Sequence, residues 1–507
     1  MNIDGYNRSN KQVNLRPQDN VARALPPDLA KRLKVLPLEL RNGTLRVAVS
    51  NPSDVWTLDE VHLATGYKIK PVFANPDHIV AELTSLYGPL DDIAYNSGQT
   101  DMEQGLVLTA ESTDSTSIGS IVDSMFQQAI GQRASDIHLD PNREGGRVRL
   151  RIDGILHPQI SLDPRIFAAV TTAIKVRAGM DIAQRLIPQD GRLEYTIGNK
   201  QIDIRVASLP TTTGEKIVLR LLHRTGLIDS IDQLRFTNTV QEALLKFAAR
   251  SGGMILVTGP TACGKTTTLY ALLKSFNSAE QNIITIEDPV EYHLPGINQV
   301  QINPKAGLTF ARGLRSILRQ DPNIIMVGEI RDSETAEIAV RSALTGHLVL
   351  STLHTNDAAS TIARLLDMGI EPYLLVSALN GILSQRLVRS VCSHCSQLYQ
   401  PADYEETIMI NYCGPGRKTW TKGVGCPFCR YTGYLGRIPI GEVLDARSDS
   451  IQSLILDCST ADEIRQQAVR EGMKPLLADG LVKVALGRTT MDEVMLATGW
   501  LAEYAFG

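Results

Sequence analysis

Gly259-Pro260-Thr261-Ala262-Cys263-Gly264-Lys265-Thr266-Thr267 lies near the middle of the chain and fits the pattern G-x-x-x-x-G-K-[ST]. An apolar run, Met254-Ile255-Leu256-Val257, precedes it and reads as a buried strand. Leu269, Leu272, Leu273 and Phe276 follow at helical spacing. Strand, glycine-rich loop and helix in that order predict a P-loop. The glycines let backbone N–H groups close around a β-phosphate, and the helix N-terminus favours the negative charge. Lys265 is expected to reach the β- and γ-phosphates, and Thr266 to ligate Mg²⁺. A glycine turn holding no nucleotide is the bland alternative, and the flanking strand and helix weigh against it.

A chain of 507 residues exceeds what one hydrophobic core can organise, so three or four domains are expected. Its 43% hydrophobic and 21% charged residues are those of a soluble globular protein. A net charge of −4 gives no electrostatic footprint for nucleic acid. No apolar run approaches the ~20 residues that span a bilayer, and Met1 to Gln18 is polar, without the apolar core of a secretory signal. The expectation is a cytosolic chain that meets a membrane only through a partner. Seven cysteines make no disulfide framework. Four of them form two C-x₂-C pairs, Cys392 with Cys395 and Cys426 with Cys429, while Cys263, Cys413 and Cys458 are scattered.

Residues 1–20 read as a flexible leader and 21–88 as a small α/β domain, with helical character from Ala30 to Leu36 and a strand at Leu45 to Val49. Asn51-Pro52-Ser53-Asp54 reads as a turn that caps the next helix. The stretch 89–117 is acidic and Ser/Thr/Gly-rich, which is linker composition. Residues 118–225 read as an α+β domain: a helix bearing Ile121, Val122, Met125, Ala129 and Ile130, then strands at 146–152, 193–197, 202–206 and 217–222. The P-loop domain occupies 226–390, where apolar strands alternate with helical segments as a parallel sheet requires. A loop-rich insert with the cysteine pairs spans 391–440, and 441–507 is mostly helical in pattern.

Two further strands of the P-loop domain end in carboxylates. Ile283 to Ile286 leads into Glu287-Asp288-Pro289-Val290-Glu291, and Ile324 to Val327 leads into Gly328-Glu329. In open parallel sheets the ligand lies beyond the carboxyl ends of the strands, so both acids are delivered toward the P-loop. A triphosphatase needs one group to orient the attacking water and another to hold the Mg²⁺ shell. Glu329 is expected in the first role with Glu291 as co-catalyst, while Glu287 and Asp288 read equally well as turn-fixing residues. Thr345-Gly346-His347 and Leu353-His354-Thr355 bracket an apolar strand, and His354 is expected to sense the γ-phosphate.

GPTxxGKTTTLY, TIEDPVEY, LRQDPNIIMVGEIRD and TGHLVLSTLHTNDA, in that order, closely resemble the secretion and pilus ATPase superfamily, specifically the type II secretion and type IV pilus assembly ATPases. The likeness runs from Ala134-Ser135-Asp136-Ile137-His138 to Gly472 and Asp479-Gly480. It implies an α/β fold: a RecA-like P-loop ATPase domain with a parallel sheet, preceded by an α+β (PAS-like) domain and a small N-terminal α/β domain, with a zinc-binding insert and a helical C-terminal tail. Carried over, Gly259 to Thr267 form the Walker A loop, with Lys265 and Thr266 as its contacts. Glu291 is the Asp-box acid, Glu329 the Walker B acid, and His347 and His354 the His-box pair. The family usually has Gly-Ser where this chain has Ala262-Cys263, and a Cβ at 262 disfavours a positive φ there.

Arg147, Arg149 and Arg151 alternate with Val148, Leu150 and Ile152, so at a strand period of two the arginines share a face. A solvated sheet face is the simple reading. The resemblance instead implies arginines that swing to the nucleotide, with Arg149 and Arg151 leading and Arg192 and Arg205 behind them. Arg312, Arg315 and Arg319 line one helical face and read as surface or subunit contacts. The two C-x₂-C pairs have the ligand count of a structural Zn²⁺ site. The resemblance implies Zn²⁺ on Cys392, Cys395, Cys426 and Cys429. The resulting expectation is a homohexameric, Mg²⁺-dependent ATP hydrolase, cytoplasmic and peripheral at the inner membrane, that assembles a pseudopilus in type II secretion. Its partners would be an inner-membrane platform protein and a membrane-anchored adaptor docked by the N-terminal domain, with no nucleic acid. Type IV pilus extension is the alternative; a nucleic-acid motor and a non-hydrolysing scaffold are rivals from other classes. Residues 1–110 hold no clear R-L-G-x-x-L motif, so cyclic-di-GMP sensing is not expected.

Overall fold

The structure is a computed structural model that describes residues 33–41, 43–50, 65–87, 106–108, 117–197, 200–223, 230–277, 279–414 and 420–499, with single positions between 25 and 62 and residue 228. The expected leader 1–20, three of the four residues of the Asn51–Asp54 turn and most of the 89–117 linker lie outside the described residues; the helical character expected from Ala30 to Leu36 stops short, because Leu36 already opens the first strand. The N-terminal part, grouped with residues 425–431, forms one compact unit. Strands β1 (Leu36–Arg41) and β2 (Thr44–Val49) pair antiparallel, and β2 pairs parallel with β3 (Lys68–Phe73). Helix α1 (Pro76–Tyr87) contributes Ile79 and Leu83 to a core with Leu36, Leu45 and Val47.

A second sheet has seven strands in the order β4-β7-β6-β5-β10-β9-β8. Its members are β4 (Leu106–Leu108), β5 (Asp136–Asn142), β6 (Gly145–Ile152), β7 (Ile155–Leu162), β8 (Gln189–Ile197), β9 (Lys200–Thr211) and β10 (Gly214–His223). Strand β4 comes from within the expected linker and pairs parallel to β7; the other pairings are antiparallel. Helices α2 (Ile118–Gly131) and α3 (Pro164–Arg177) bury one apolar face each, α2 through Ile121, Val122, Met125, Phe126 and Ala129. Ser117 caps α2 by accepting from Ser120 N at 3.2 Å.

The third sheet carries the P-loop, in the order β13-β12-β14-β15-β11-β16-β19. Strands β11 (Gly253–Thr258), β12 (Ile283–Glu287), β13 (Asn298–Gln301), β14 (Ile324–Val327), β15 (Leu348–Leu353) and β16 (Leu379–Val391) are parallel. The short strands β17 (Ser396–Tyr399) and β18 (Trp420–Gly423) form a separate two-stranded antiparallel sheet in the insert. Strand β19 (Tyr434–Asp445) runs across the expected boundary at 440/441 and closes the edge antiparallel to β16. Every residue of β11, β14 and β15 is buried because both faces are covered. Met254 and Leu256 enter one core, while Ile255 and Val257 enter the other. The covering helices include α4 (Asn238–Ala248), α5 (Lys265–Phe276), α6 (Phe310–Ile317), α7 (Ser333–Leu344), α8 (Ala358–Asp367) and α9 (Pro372–Ala378).

After α10 (Asp403–Cys413) in the insert, the C-terminal part is helical: α11 (Asp449–Leu456), α12 (Ala461–Arg470), α13 (Leu476–Ala485) and α14 (Met491–Thr498). Helix α13 pins the entry to the P-loop domain. Asp479 accepts from Thr237 Oγ1 at 2.5 Å and from Gly441 N at 3.0 Å. Lys483 donates to the carbonyls of Arg235 and Pro439, and burial pushes its pKa down to about 8.

Candidate active site

Strand β11 ends at Thr258, and the chain turns through 259–264 before α5 begins at Lys265. Gly259 has φ +143°, and a Cβ there would lie 2.5 Å from the Gln385 carbonyl. Ala262 has φ +60°, a left-handed conformation that a Cβ disfavours. Lys265 Nζ lies 2.8 Å from Gly259 O, 2.9 Å from Pro260 O and 3.4 Å from His354 Nδ1. Burial pulls the Lys265 pKa down, and the Glu329 carboxylate opposes that pull. Cys263 is buried behind the loop, and burial raises its thiol pKa.

Glu329 lies one residue past Gly328, at the carboxyl end of β14. Its Oε2 is 3.4 Å from His354 Nε2, and its Oε1 accepts from Arg331. Side chains of β15 hold this end of β14: Ser351 Oγ donates to Val327 O and Thr352 Oγ1 to Gly328 O, both at 2.7 Å. His354, about half exposed, therefore stands between Lys265 and Glu329.

The run after β12 divides its acids. Glu287 is buried, accepts from Thr285 Oγ1 at 2.6 Å, Gln299 Nε2 at 3.2 Å and the Tyr270 hydroxyl, and has its pKa raised by burial. Glu291 is partly exposed, and its Oε2 lies 3.3 Å from Arg205 Nη1. Arg205 also donates to Val290 O at 2.9 Å. A strand of the second sheet thus touches Glu291.

Three of the expected site residues are engaged elsewhere. His347 lies at the amino end of β15, the opposite end from His354 and, at ~3.3 Å per residue, roughly 20 Å from it. Its Nδ1 is 2.9 Å from Ser342 O and 3.1 Å from Thr345 Oγ1, so it fastens the turn after α7. Arg149 and Arg151 are held within the second sheet. Arg149 donates to Asp140 at 2.6 Å, and Arg151 donates to Gly154 O at 2.8 Å with Asp136 at 3.7 Å. Strand β5 places these acids in register with β6, Asp140 opposite Arg147 and Asp136 opposite Arg151. Like the helical-face arginines, of which Arg315 pairs with Glu334 at 2.7 Å, they are engaged locally.

Arg192, Arg205 and Arg220 instead stand in register across β8, β9 and β10. They line a cleft with Gly191, Pro289 and Gln301. Arg192 pairs with Asp203, and Arg220 with Asp136 at 3.1 Å. The sequence reading missed Arg220, although counting outward from the Thr211–Gly214 pair of the β9–β10 hairpin sets it opposite Arg205. It also missed Gln385 and Arg386, which stand behind the P-loop and carry no motif signal.

In the insert, the Sγ atoms of Cys392, Cys395, Cys426 and Cys429 lie within 4.8 Å of one another, and none of the four is in a disulfide. Four thiolates around one tetrahedral ion at ~2.3 Å would be spaced about 3.8 Å apart, so the set fits Zn²⁺. Among the described residues no helix is long and apolar enough to cross a membrane.

A family model described as "Type II/IV secretion system protein" matches residues 111–496, and an MshEN domain model matches 12–93. The type IV pilus assembly ATPase PilB of Thermus thermophilus is 43% identical over 94% of this chain, which spans 54% of that relative's length. The Myxococcus xanthus protein of the same name is 41% identical over 95% of this chain and 88% of its own. Type II secretion system protein E of Xanthomonas campestris pv. campestris is 40% identical, covering 92% and 83% of the two chains. Among solved structures, the Legionella pneumophila ATPase DotB superposes with a TM-score of 0.56 at 20% identity, covering 74% of this chain and 95% of that one. That likeness supports the fold, with its mixed α/β sheets. The chain belongs to the type II/IV secretion system protein family, a family of ATPases.

Proposed function

We propose that the chain is a Mg²⁺-dependent ATP hydrolase that works as a homohexameric ring and powers assembly of a pseudopilus in type II secretion. The observation that carries this reading is the convergence of Lys265, His354 and Glu329 at the carboxyl edge of one sheet, with 3.4 Å on either side of the histidine. The loop from Gly259 through Pro260, Thr261, Ala262, Cys263 and Gly264 to Thr266 and Thr267 would hold the phosphates of ATP. Lys265 would sit against the β- and γ-phosphates, and Thr266 would ligate the Mg²⁺ that neutralises charge on them. Glu329 orients the attacking water and takes its proton, and His354 reports the γ-phosphate to that carboxylate. Glu291 assists from the Asp box, steered by Arg205. Arg149 and Arg151 would act on phosphate only after the second sheet moves relative to the P-loop domain, and His347 would act only beyond its own site.

Hydrolysis would change the angle between these two sheets, and the ring would pass that motion to an inner-membrane platform protein. Residues 21–88 would dock a membrane-anchored adaptor, keeping the protein cytoplasmic and peripheral at the inner membrane. Zn²⁺ on Cys392, Cys395, Cys426 and Cys429 would clamp the insert. One equivalent of zinc per chain by elemental analysis, lost in Cys392→Ser, is the expected result. Type IV pilus extension is the second reading, supported by the Thermus and Myxococcus relatives as the first is by the Xanthomonas one, all three matching more than nine-tenths of the chain. Deleting the gene and scoring exoprotein secretion against surface pili separates the two.

The first test is steady-state ATP hydrolysis with Mg²⁺, beside Glu329→Gln, with size measured by light scattering. Turnover in hexamers that falls ~10²-fold or more in the variant is expected. No turnover in either protein, with adaptor and anionic lipid present, would defeat hydrolysis in favour of a nucleotide-gated scaffold. Turnover that rises with DNA would favour a nucleic-acid motor.

A further inference from the structure

The carboxyl half of β16 runs directly behind the P-loop, and its residues reach both walls of the nucleotide site. Gln385 is fully buried and uses both ends of its amide. Its Nε2 donates to the Cys263 carbonyl at 2.7 Å, and its Oε1 accepts from Thr268 Oγ1 at 2.9 Å. One side chain therefore ties the loop to the first turn of α5. Its approach also constrains the loop's composition: a Cβ at Gly264 would lie 3.2 Å from Gln385 Nε2.

Arg386 turns the other way. Its Nη2 donates to Asn356 O at 2.6 Å, two residues beyond His354, and its Nη1 donates to Gln385 O at 3.1 Å. Ser384 Oγ reaches the same Asn356 carbonyl at 3.4 Å. Arg386 is about half buried, and burial lowers its pKa, with Cys263, Glu442 and Asp357 opposing. Two adjacent residues of one strand thus hold the phosphate loop on one side and the His354 loop on the other.

We infer that Gln385 and Arg386 are positioning residues for ATP hydrolysis: Gln385 holds the P-loop in its phosphate-binding shape, and Arg386 holds the His354 loop against the site. Gln385 can do this because an amide carries donor and acceptor on one rigid end. An unmade bond at either end would leave a buried polar group without a partner. The inference rests on the ATPase reading and assigns the two residues separable effects. Gln385 governs nucleotide affinity, because it shapes the donors that meet phosphate. Arg386 governs turnover, because its guanidinium donates to the loop that carries His354; beside Gly259, Cys263 and Lys265 of the phosphate cradle it acts as a charge, which lysine keeps.

The experiment measures the Kd of a fluorescent ATP analogue and kcat for wild type, Lys265→Ala, Gln385→Glu, Gln385→Met, Thr268→Val and Arg386→Lys, with melting temperature recorded for each. Gln385→Glu sets an acceptor against the Cys263 carbonyl and is expected to weaken binding at least tenfold. Gln385→Met is expected to weaken it several-fold, and Thr268→Val, which removes one bond of the bridge, about twofold to threefold. Arg386→Lys is expected to lower kcat about tenfold with Kd within twofold of wild type. Binding lost in Lys265→Ala but unchanged in the Gln385 variants overturns the inference and leaves the ATPase reading intact. If Gln385→Met does not fold, an unchanged Kd in Thr268→Val has the same force. A kcat unchanged in Arg386→Lys overturns its half of the bracket. A wild type that binds no nucleotide defeats both readings.

Discussion

The two edges of the P-loop sheet are built from the same strands and do opposite work. At the amino edge, polar groups close on one another: His347 sits on Ser342 O, and Asn380 donates to Gly252 O at 2.9 Å and accepts from Arg447 at 3.2 Å. At the carboxyl edge, Lys265, Glu329 and His354 face a shared space at the longer spacing of 3.4 Å. Burial there already depresses the lysine's pKa. A parallel sheet sends all its carboxyl ends one way, so groups that follow strands collect where the helix N-termini also point. The amino edge has no such convergence and is free to be satisfied locally.

The sharpest way to break this contrast uses the two histidines that bracket β15. His354→Ala is expected to lower kcat about 10²-fold, the size of one lost positioned group in a transition state. His347→Ala should leave kcat within about threefold and cost about 1 kcal/mol of stability, the worth of one ordinary hydrogen bond. Steady-state kinetics with melting curves separates the two effects. A His347 variant as inactive as His354→Ala, with an unshifted melting curve, would show that the amino edge serves catalysis from another subunit.

A smaller effect tests the second sheet in the same way. Arg205 touches Glu291, while Arg149 is spent on Asp140. Arg205→Ala is expected to lower kcat about tenfold or more. Arg149→Ala should change kcat by less than about twofold and cost about 1 kcal/mol of stability at most, because the pair is partly exposed. Reversed magnitudes would mean that the second sheet turns its β6 face to the phosphates during the cycle.

Much of this arrangement is legible in the sequence because the P-loop strands are buried on both faces and read as unbroken apolar runs. Met254–Val257, Ile283–Ile286 and Ile324–Val327 fall inside β11, β12 and β14, and each acid is found where its strand stops. His354 follows by the same rule. The arginines were harder, since a period of two gives the face of a strand but not its neighbours. The acids that occupy Arg149 and Arg151 lie on β5, a strand the reading did not draw. Gln385 was out of reach for a related reason. Its meaning comes from β16 lying beside β11, a pairing across more than a hundred residues of chain that no local pattern reports.

The smallest effect tests whether the carboxyl edge stores strain. The tight turn at the amino edge uses glycine, Gly346 at φ +99°, whereas the P-loop holds Ala262 at φ +60°. A left-handed alanine costs on the order of 1 kcal/mol, and the greater freedom of glycine in the unfolded chain offsets part of any gain from replacing it. Ala262→Gly is therefore expected to tighten nucleotide binding by up to about fivefold and to raise the melting temperature slightly. Calorimetry with and without ATP analogue reads both. A variant that binds no tighter and melts lower would show that the loop's other bonds, above all the one from Gln385 to the Cys263 carbonyl, hold Ala262 in place at no net cost. The strain would then be a feature of backbone angles alone, and the difference between the two edges would lie wholly in their side chains.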